Sequence, residues 1–290
     1  MGRSGVVVSR PLLARWQTRA LEVGPHSAAP GPVLVLLHGF GDHAGTWLPV
    51  LEQLDEAGCR AVALDMPGYG EADPLEPGES LPQLDAFLAA AVERWTIDGI
   101  PPVVVGNSLG GVVAIRAGQD PRSVVSGIVP VAPAGFSHSW ILDLLENNPW
   151  LQPLMTVPVP TRVFRLLTIV GYNFIAGGTA KVLPGVAAAV ADVNFPSRAH
   201  VSRVLGNAVE LLGELRMISR DHVGVPVLVL WGRHDKLTLV EGAEAVRGLA
   251  PGAEVVVLED CGHCPQVSRP DLVAAHLISF SGALVSTVAG

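Results

Sequence analysis

The sequence predicts an α/β fold in which a mostly parallel sheet carries helices on both faces and a helical segment is inserted late in the chain. Short apolar runs alternate with longer segments of helical period, a pattern typical of a parallel sheet covered by helices. The alternation stops between residues 134 and 222 and resumes at VPVLVLWG. A tight-turn motif, PVVVGNSLGG at residues 102–111, joins a Val-rich run directly to a helical pattern. These observations favour one α/β unit with an insertion, although 290 residues exceed the usual length of a domain.

The strands are predicted from seven runs of five or six mostly apolar residues. These runs lie at residues 19–23, 33–38, 61–65, 102–107, 127–131, 227–231 and 254–258. The segments between and after them have helical period. Helices are expected near residues 47–57, 81–95, 109–118, 240–249 and 270–280.

Residues 134–222 are predicted to form a helical insertion because they interrupt this alternation. The segment is broken by prolines and by Gly177 and Gly178, and it is rich in large apolar side chains. Those side chains are Trp140, Trp150, Met155, Phe164, Tyr172, Phe174 and Phe195. The chain then divides into a core at residues 1–133, a helical cap at residues 134–222 and the rest of the core at residues 223–290. The alternative is that the segment is ordinary α/β structure with a weak pattern.

The composition favours a globular enzyme. Hydrophobic residues make up 49% of the chain and charged residues 16%, unlike disordered or fibrous proteins. The net charge of −8 argues against nucleic-acid binding, which needs clustered Lys and Arg. Despite a mean hydropathy of +0.41, no apolar run approaches the roughly 18 residues of a membrane span. A soluble protein without a nucleic-acid partner is therefore expected.

The N-terminus and the cysteines favour a cytoplasmic location. Arg10 and Arg15 interrupt the first apolar stretch, so it lacks the apolar region of roughly 7 to 15 residues that a secretory signal needs. The cysteine count of three is odd, and Cys59 is distant in sequence from Cys261 and Cys264. This arrangement is not a disulfide framework, and it fits a reducing compartment.

The motif at residues 106–110 has the form Gly-x-Ser-x-Gly, with Ser108 at its centre. A nucleophilic serine on a tight turn between strand and helix needs small neighbours, because other side chains would clash with the backbone. The turn would present the hydroxyl at the carboxyl edge of the sheet. It would also leave the Leu109 N–H at a helix N-terminus, where it can stabilise a developing oxyanion.

A serine hydroxyl needs a base and an orienting carboxylate before it can act as a nucleophile. In folds with this turn, the acid and then the histidine follow the serine along the chain, each after a strand. Asp235 follows the run VLVLWG, and His263 follows EVVVL. We therefore predict Ser108, Asp235 and His263 as a catalytic triad, with His234 as an alternative base beside Asp235.

These motifs resemble those of the α/β-hydrolase superfamily, in particular its lidded serine esterases and C–C hydrolases. The matching segments are LLHGFGDHAGTW (36–47), LDMPGYG (64–70), VGNSLGG (105–111), LWGRHD (230–235) and CGHCPQ (261–266). The resemblance covers nearly all of the core and leaves out the cap. It implies that the Phe40 N–H is a second oxyanion donor and that residues 134–222 cover the active site.

The chain departs from the relatives' pattern after the histidine. Relatives often continue as G-H-x-P-x-x-E-x-P, whereas Ser268 stands here in the place of the glutamate, which puts the anchoring of this loop in question. A serine nucleophile argues against haloalkane dehalogenases and epoxide hydrolases, whose chemistry needs an aspartate.

The motif CGHC at residues 261–264 has two interpretations. It could be a dithiol that exchanges with disulfides, or only His263 could matter. A redox pair needs a thiolate at a helix N-terminus in a thioredoxin-like setting. Here the motif follows a late strand, and Pro265 and Pro270 predict a loop. The second interpretation is therefore favoured.

The remaining candidates are weaker. In the cap, Trp140, Phe164, Arg162 and Arg165 are candidate substrate contacts, although the arginines are more simply explained as solvated. Asp42 and Asp65 are expected to fix turns. No metal site or cofactor is predicted, because the histidines lack the paired helical spacing of a metal motif.

The predicted function is hydrolysis of a small or medium, mostly apolar carboxylic ester, with a small molecule as the only partner and no oligomeric state assigned. One competing hypothesis is a C–C bond hydrolase of ring-cleavage products, which Asn107 and LWGR favour. Cys264 argues against it, because those enzymes usually have Trp after the catalytic histidine. The same triad would also suit a cofactor-free perhydrolase. A hypothesis from a different class is a hydrolase-like receptor, which binds a ligand without cleaving it.

Overall fold

A computed structural model describes residues 5–24, 31–137 and 160–288, and its main feature is an eight-stranded sheet. The strands are β1 (Val7–Ser9), β2 (Leu12–Leu13), β3 (Trp16–Gln17), β4 (Ala20–Val23), β5 (Leu34–Leu37), β6 (Ala61–Leu64), β7 (Val103–Asn107), β8 (Gly127–Val131), β9 (Leu228–Gly232) and β10 (Glu254–Leu258). Their order in the sheet is β1-β4-β6-β5-β7-β8-β9-β10, and β2 pairs with β3 in a separate hairpin. β4 runs antiparallel to both its neighbours, whereas β5 to β10 are parallel. The predicted mostly parallel sheet is confirmed.

The helices of the described residues lie in the connections between strands. They are α1 (Leu48–Glu56), α2 (Ser80–Arg94), α3 (Leu109–Gln119), α4 (Thr161–Ala176), α5 (Val186–Asn194), α6 (Arg198–Arg216), α7 (Gly242–Leu249), α8 (Pro265–Ser268) and α9 (Pro270–Val288). A short 3₁₀ helix, Ala44–Trp47, precedes α1. None of these helices is both long and apolar enough to cross a membrane.

The sheet is buried on both faces, and its central strands are therefore apolar at successive positions. In β5, Val35 and Leu37 belong to one hydrophobic cluster, whereas Leu34 and Leu36 belong to the other. This division follows from the alternation of side chains along a strand. Helices α2, α3 and α7 contribute to the first cluster, and α1 and α9 to the second.

The predicted core elements agree with the structure, with two exceptions. All seven predicted strands are present, with ends within one residue of those expected, and the five predicted helices are present as well. The sequence does not reveal β1 to β3, because two or three residues are too few to show a period. The expected loop after Cys264 is wrong. Pro265 begins one helical turn, α8, because proline is tolerated at the first helical position.

The described part of the predicted cap consists of three helices, α4 to α6, between β8 and β9. Helix α6 is joined to the core by Glu214, whose two carboxylate oxygens accept the Ser80 and Leu81 N–H groups at 2.7 Å each. These N–H groups begin α2 and lack partners within it, so the carboxylate stabilises the helix N-terminus. Trp140, Trp150 and Met155 lie outside the described residues. The limits 134 and 222 stay a prediction.

Candidate active site

Ser108 lies in a strained turn between β7 and α3. Its φ of 52° and ψ of −110° are disfavoured for any residue with a Cβ. The Ser108 N–H donates to Val131 O in the neighbouring strand at 2.9 Å, which helps to hold this conformation. The serine therefore stands at the carboxyl edge of the parallel strands, as its motif predicts.

Gly106 and Gly110 allow the turn to be this tight. A Cβ on Gly106 would lie 2.0 Å from Gly110 O, and a Cβ on Gly110 would lie 2.6 Å from Leu37 O. Side chains essentially never approach the backbone within 3.0 Å. The glycines on both sides of the serine are thus required by the packing of strand against helix.

Asp235 and His263 meet at the same edge of the sheet. His263 Nδ1 lies 2.8 Å from Asp235 Oδ2, and both residues are about 95% buried. Because the carboxylate can only accept, the Nδ1 atom carries the proton, and Nε2 is left as a basic nitrogen. This is the tautomer that a general base needs.

Thr238 supports this pair, although the sequence gives no sign of it. Its hydroxyl donates to Asp235 Oδ2 at 2.8 Å, and its N–H donates to Asp235 Oδ1 at 2.9 Å. The Leu237 N–H also donates to Oδ1, at 2.8 Å. Both carboxylate oxygens are therefore fixed, which sets the orientation of His263. A short polar side chain three residues after a candidate acid is the only signal that could have identified Thr238.

Asn107 and Gln266 anchor the histidine loop in place of the missing glutamate. Asn107 Nδ2 donates to His263 O at 2.9 Å, and Asn107 Oδ1 accepts from Gln266 Nε2 at 3.1 Å. Ser268 contributes a longer bond, from its hydroxyl to Cys264 O at 3.4 Å. The residue before the serine is thus bonded directly to the loop that carries the histidine.

Helix α4 of the predicted cap also holds the histidine loop. Its last two carbonyl groups, on Ile175 and Ala176, accept the N–H groups of His263 at 3.0 Å and Cys264 at 3.2 Å. The contact is close enough that a Cβ on Gly262 would lie 1.8 Å from Gly177 O. Helix α4 is therefore packed directly against the backbone of the candidate base.

The loop after β5 passes beside Ser108. A Cβ on Gly39 would lie 3.3 Å from the Ser108 Cβ. The neighbouring His38 holds this loop, because its Nδ1 bonds to Gly39 O at 2.7 Å and its Nε2 accepts the Met66 N–H at 2.9 Å. Burial lowers the pKa of His38, which keeps the ring neutral and able to make both bonds.

The two expected oxyanion donors belong to the two segments that adjoin the serine. Phe40 follows Gly39, and Leu109 is the first residue of α3. Within the described residues, neither the Phe40 N–H nor the Leu109 N–H donates a hydrogen bond. The Leu109 N–H has no acceptor within its own helix, because the first N–H groups of any helix lack one.

Apolar side chains surround this loop. Phe195 approaches Gly41, and its ring packs against Phe164 in an edge-to-face pair with centroids 5.1 Å apart. Phe40 packs in the same manner against Tyr69, at 5.4 Å. The contacts of Phe195 join the predicted cap to the loop after β5 through apolar surface.

Of the four candidates for substrate contact in the predicted cap, the structure describes Arg162, Phe164 and Arg165. Arg165 forms an ion pair with Asp192 at 2.5 Å, and both side chains are about half exposed. Arg162 is exposed, and Trp140 lies outside the described residues. Phe164 is the one of the four candidates that the structure places in contact with the apolar surface around the site.

The remaining polar candidates have structural contacts. Asp65 accepts the Ala44 N–H at 2.6 Å and the Glu71 N–H at 2.8 Å, and thus fixes two turns as expected. His234 is exposed, whereas the adjacent Asp235 is buried. The two side chains point in different directions from one turn. His234 faces solvent, whereas Asp235 faces His263.

Both thiols of CGHC lie in surroundings that oppose thiolate formation. Burial raises the pKa of Cys261 and raises that of Cys264 well above its usual value. A dithiol exchange site needs the opposite shift, because the thiolate is the nucleophile. Cys264 Sγ lies 3.6 Å from Asn107 Oδ1 and packs with Val267, so its role is in packing.

We expect the double substitution of Cys261 and Cys264 by serine to keep most of the hydrolytic activity, because neither thiol lies on the path of proton transfer. A modest loss from repacking is compatible with this, since serine is smaller and more polar. The measurement is ester turnover beside reduction of insulin. Insulin reduction by the wild type that is lost in the double variant would show that the dithiol interpretation is correct.

Comparisons with known proteins agree with this fold. A model of the Alpha/beta hydrolase family matches residues 34–276. Monoacylglycerol lipase ABHD6 of Mus musculus is 27% identical over 273 residues, which cover 88% of this chain and 77% of the relative. The pimeloyl-[acyl-carrier protein] methyl ester esterase of Vibrio vulnificus is 29% identical over 274 residues, covering 92% and 97%. The solved structure of a membrane phospholipase A has a TM-score of 0.75 at 23% identity, covering 97% of this chain and 87% of its own.

Proposed function

The chain belongs to the Alpha/beta hydrolase family, and from this premise we propose that it is a serine esterase that cleaves a mostly apolar carboxylic ester through an acyl-enzyme. The observation that carries the proposal is the buried hydrogen bond of 2.8 Å between His263 and Asp235 at the sheet edge where Ser108 turns outward. The names of the two curated relatives, a lipase and a methyl ester esterase, support ester cleavage.

The first half of the reaction forms the acyl-enzyme. The Ser108 hydroxyl attacks the ester carbonyl while His263 Nε2 takes its proton. Asp235 stabilises the imidazolium that results and holds its orientation. His263 then gives the proton to the leaving alcohol as the C–O bond breaks, and the acyl group stays on Ser108.

The oxyanion of the tetrahedral intermediate is bound by the N–H groups of Phe40 and Leu109. Donors already fixed in place do not need to reorganise as the charge develops. The Leu109 N–H also lies at the start of α3, where the helix dipole favours negative charge. Removing one such donor in comparable enzymes costs about 10² to 10³ in kcat.

The second half of the reaction releases the acid. Water attacks the acyl group while His263 takes a proton from it, and the same proton returns to Ser108 when the bond to the serine breaks. Apart from the ester and one water molecule, the steps as written use only groups of this chain.

The apolar surface around the loop favours an apolar substrate. Phe195 lies close to Gly41, and Phe164 packs on Phe195. Phe40 packs on Tyr69. The cationic side chain of Arg165, which could bind an acidic substrate, is paired with Asp192. We propose that residues 134–222 form a cap over the serine and that this cap supplies much of the substrate pocket.

A panel of p-nitrophenyl esters with graded acyl chains tests this function. We expect kcat/KM to rise from the acetyl ester toward medium chains, because each buried methylene contributes about 0.8 kcal/mol, and then to fall. Preference for an ester with a carboxylate on its acyl chain would contradict the apolar site. Absence of turnover on every ester would contradict the proposed function.

Asn107 does not favour C–C bond cleavage over ester cleavage. Its side chain bonds to His263 O, Val131 O and Gln266, and this anchoring serves either reaction. The cytoplasmic location remains a proposal that rests on the odd cysteine count, which fits a reducing compartment.

A further inference from the structure

Helix α4 contacts the two loops that carry the proposed catalytic groups. At its C-terminus, the Ile175 and Ala176 carbonyl groups accept N–H groups of the histidine loop. One turn earlier, the Tyr172 hydroxyl donates to Asp42 Oδ2 at 3.2 Å. Asp42 lies two residues after Phe40, in the loop after β5 that carries this proposed oxyanion donor. One helix of the predicted cap is therefore bonded to both sides of the site.

Asp42 shapes the oxyanion loop from within. It is 3% exposed, and its Oδ1 accepts the His43 N–H at 2.8 Å. Its Oδ2 accepts the Tyr172 hydroxyl at 3.2 Å and lies 3.3 Å from the Thr46 hydroxyl, which also has His43 O as an acceptor at 2.9 Å. Its own N–H donates to Gly39 O at 3.3 Å, which closes the turn that contains Phe40. The side chain thus sets the path of the backbone around the proposed oxyanion donor.

The carboxylate depends on these few donors, because it has no cationic partner among the described residues. Burial raises the pKa of Asp42 to about 7, and the hydrogen bonds from His43, Tyr172 and Thr46 oppose this rise. When a buried carboxylate loses one donor, the folded arrangement becomes less stable, because the freed oxygen has neither water nor protein as a partner. Of these three donors, the Tyr172 hydroxyl is the one that comes from the predicted cap.

A second contact joins the same loop to the cap. Asn194, at the end of α5, donates from Nδ2 to Asp42 O at 3.1 Å and accepts the Gly70 N–H at 2.9 Å. Helix α5 packs against α4. The backbone and the side chain of Asp42 are therefore both bonded to cap helices.

The geometry points to Tyr172 as a positioning residue, which holds the oxyanion loop in its active shape through Asp42 while the same helix holds the His263 loop. This inference rests on the proposed function. It makes α4 a fixed part of the site during turnover, with Tyr172 acting through Asp42 and not on the substrate.

The test removes the one hydroxyl and compares it with a matched control on the same helix. Above about pH 8, where Asp42 with its pKa of about 7 is ionised, Tyr172→Phe should lower kcat about tenfold, which corresponds to about 1.4 kcal/mol, with little change in KM. Thr168→Val should leave kcat unchanged, because the Thr168 hydroxyl bonds to Phe164 O within α4. Adding Tyr172→Phe to Asp42→Asn should cause no further loss, if the tyrosine acts through the aspartate.

Hydrogen exchange supplies a measurement that does not depend on activity. In Tyr172→Phe, amide exchange should become faster in residues 38–46 and change much less in residues 260–267, whose backbone bonds to Ile175 O and Ala176 O remain. Thr168→Val should change neither segment. A wild type that cleaves no ester would end the proposed function, whereas the exchange comparison would still decide whether Tyr172 holds the loop.

Three results would overturn the inference. Unchanged kcat with unchanged exchange would show that the bond has no influence on the loop. Faster exchange with unchanged kcat would make the bond purely structural. Lower kcat with unchanged exchange, or a further loss in the double variant, would show that Tyr172 acts by another route, such as contact with the substrate.

Discussion

Replacing Ser108 by alanine is expected to lower kcat by about 10⁶-fold, as loss of the nucleophile does in a comparable serine hydrolase. The substitution removes only the attacking oxygen. The fold should remain, because the φ of 52° at this position is as unfavourable for alanine as for serine. The measurement is ester turnover, with folding followed by circular dichroism and thermal unfolding.

Ser219→Ala is the matched control for this variant. Ser219 bonds to Asp221 in an exposed segment, so its loss should change kcat by less than about twofold, as most surface substitutions away from special features do. A loss below about 10²-fold in Ser108→Ala would mean that another group is the nucleophile.

The second large effect is expected from Asp235→Asn, which should lower kcat by up to about 10⁴-fold. The amide cannot stabilise the imidazolium of His263, and its NH₂ group would favour the wrong tautomer of the ring. The fold should change less than the activity. The amide oxygen of the variant can still accept the Thr238 N–H, which keeps this turn in place.

The neighbouring residue provides the comparison for Asp235. His234→Gln should leave kcat nearly unchanged, because His234 is exposed while Asp235 faces His263. The measurement is the steady-state kcat of both variants on the same ester. A severe loss in His234→Gln with a mild one in Asp235→Asn would show that His234, and not the pair of Asp235 and His263, acts in catalysis.

Much of the core could be predicted because its signals are local. Each parallel strand is a short apolar run, and the carboxyl ends of such strands share one edge of the sheet. Asp235 and His263 each follow one of these runs within a few residues. Their meeting could therefore be expected from strand order alone, as could the position of Ser108 after β7.

The contacts that support these residues could not be predicted in the same way. Tyr172 and Asp42 are 130 residues apart, and Asn107 and Gln266 are 159 apart. No period or motif relates such positions, because the packing of helices α4 and α8 against the core brings them together. The missing glutamate after His263 pointed to weaker anchoring, yet Asn107 and the α4 carbonyls supply anchors that leave no mark on the local sequence.

The central claim, that Ser108 is the nucleophile of a serine esterase, is tested most directly by covalent labelling with a fluorophosphonate. Trypsin cleavage after Arg94 and Arg116 gives a peptide, residues 95–116, in which Ser108 is the only serine. We predict one label per chain, located by mass spectrometry on this peptide and absent from Ser108→Ala. No label on the folded wild type, or a label on another residue that persists in Ser108→Ala, would contradict the assignment.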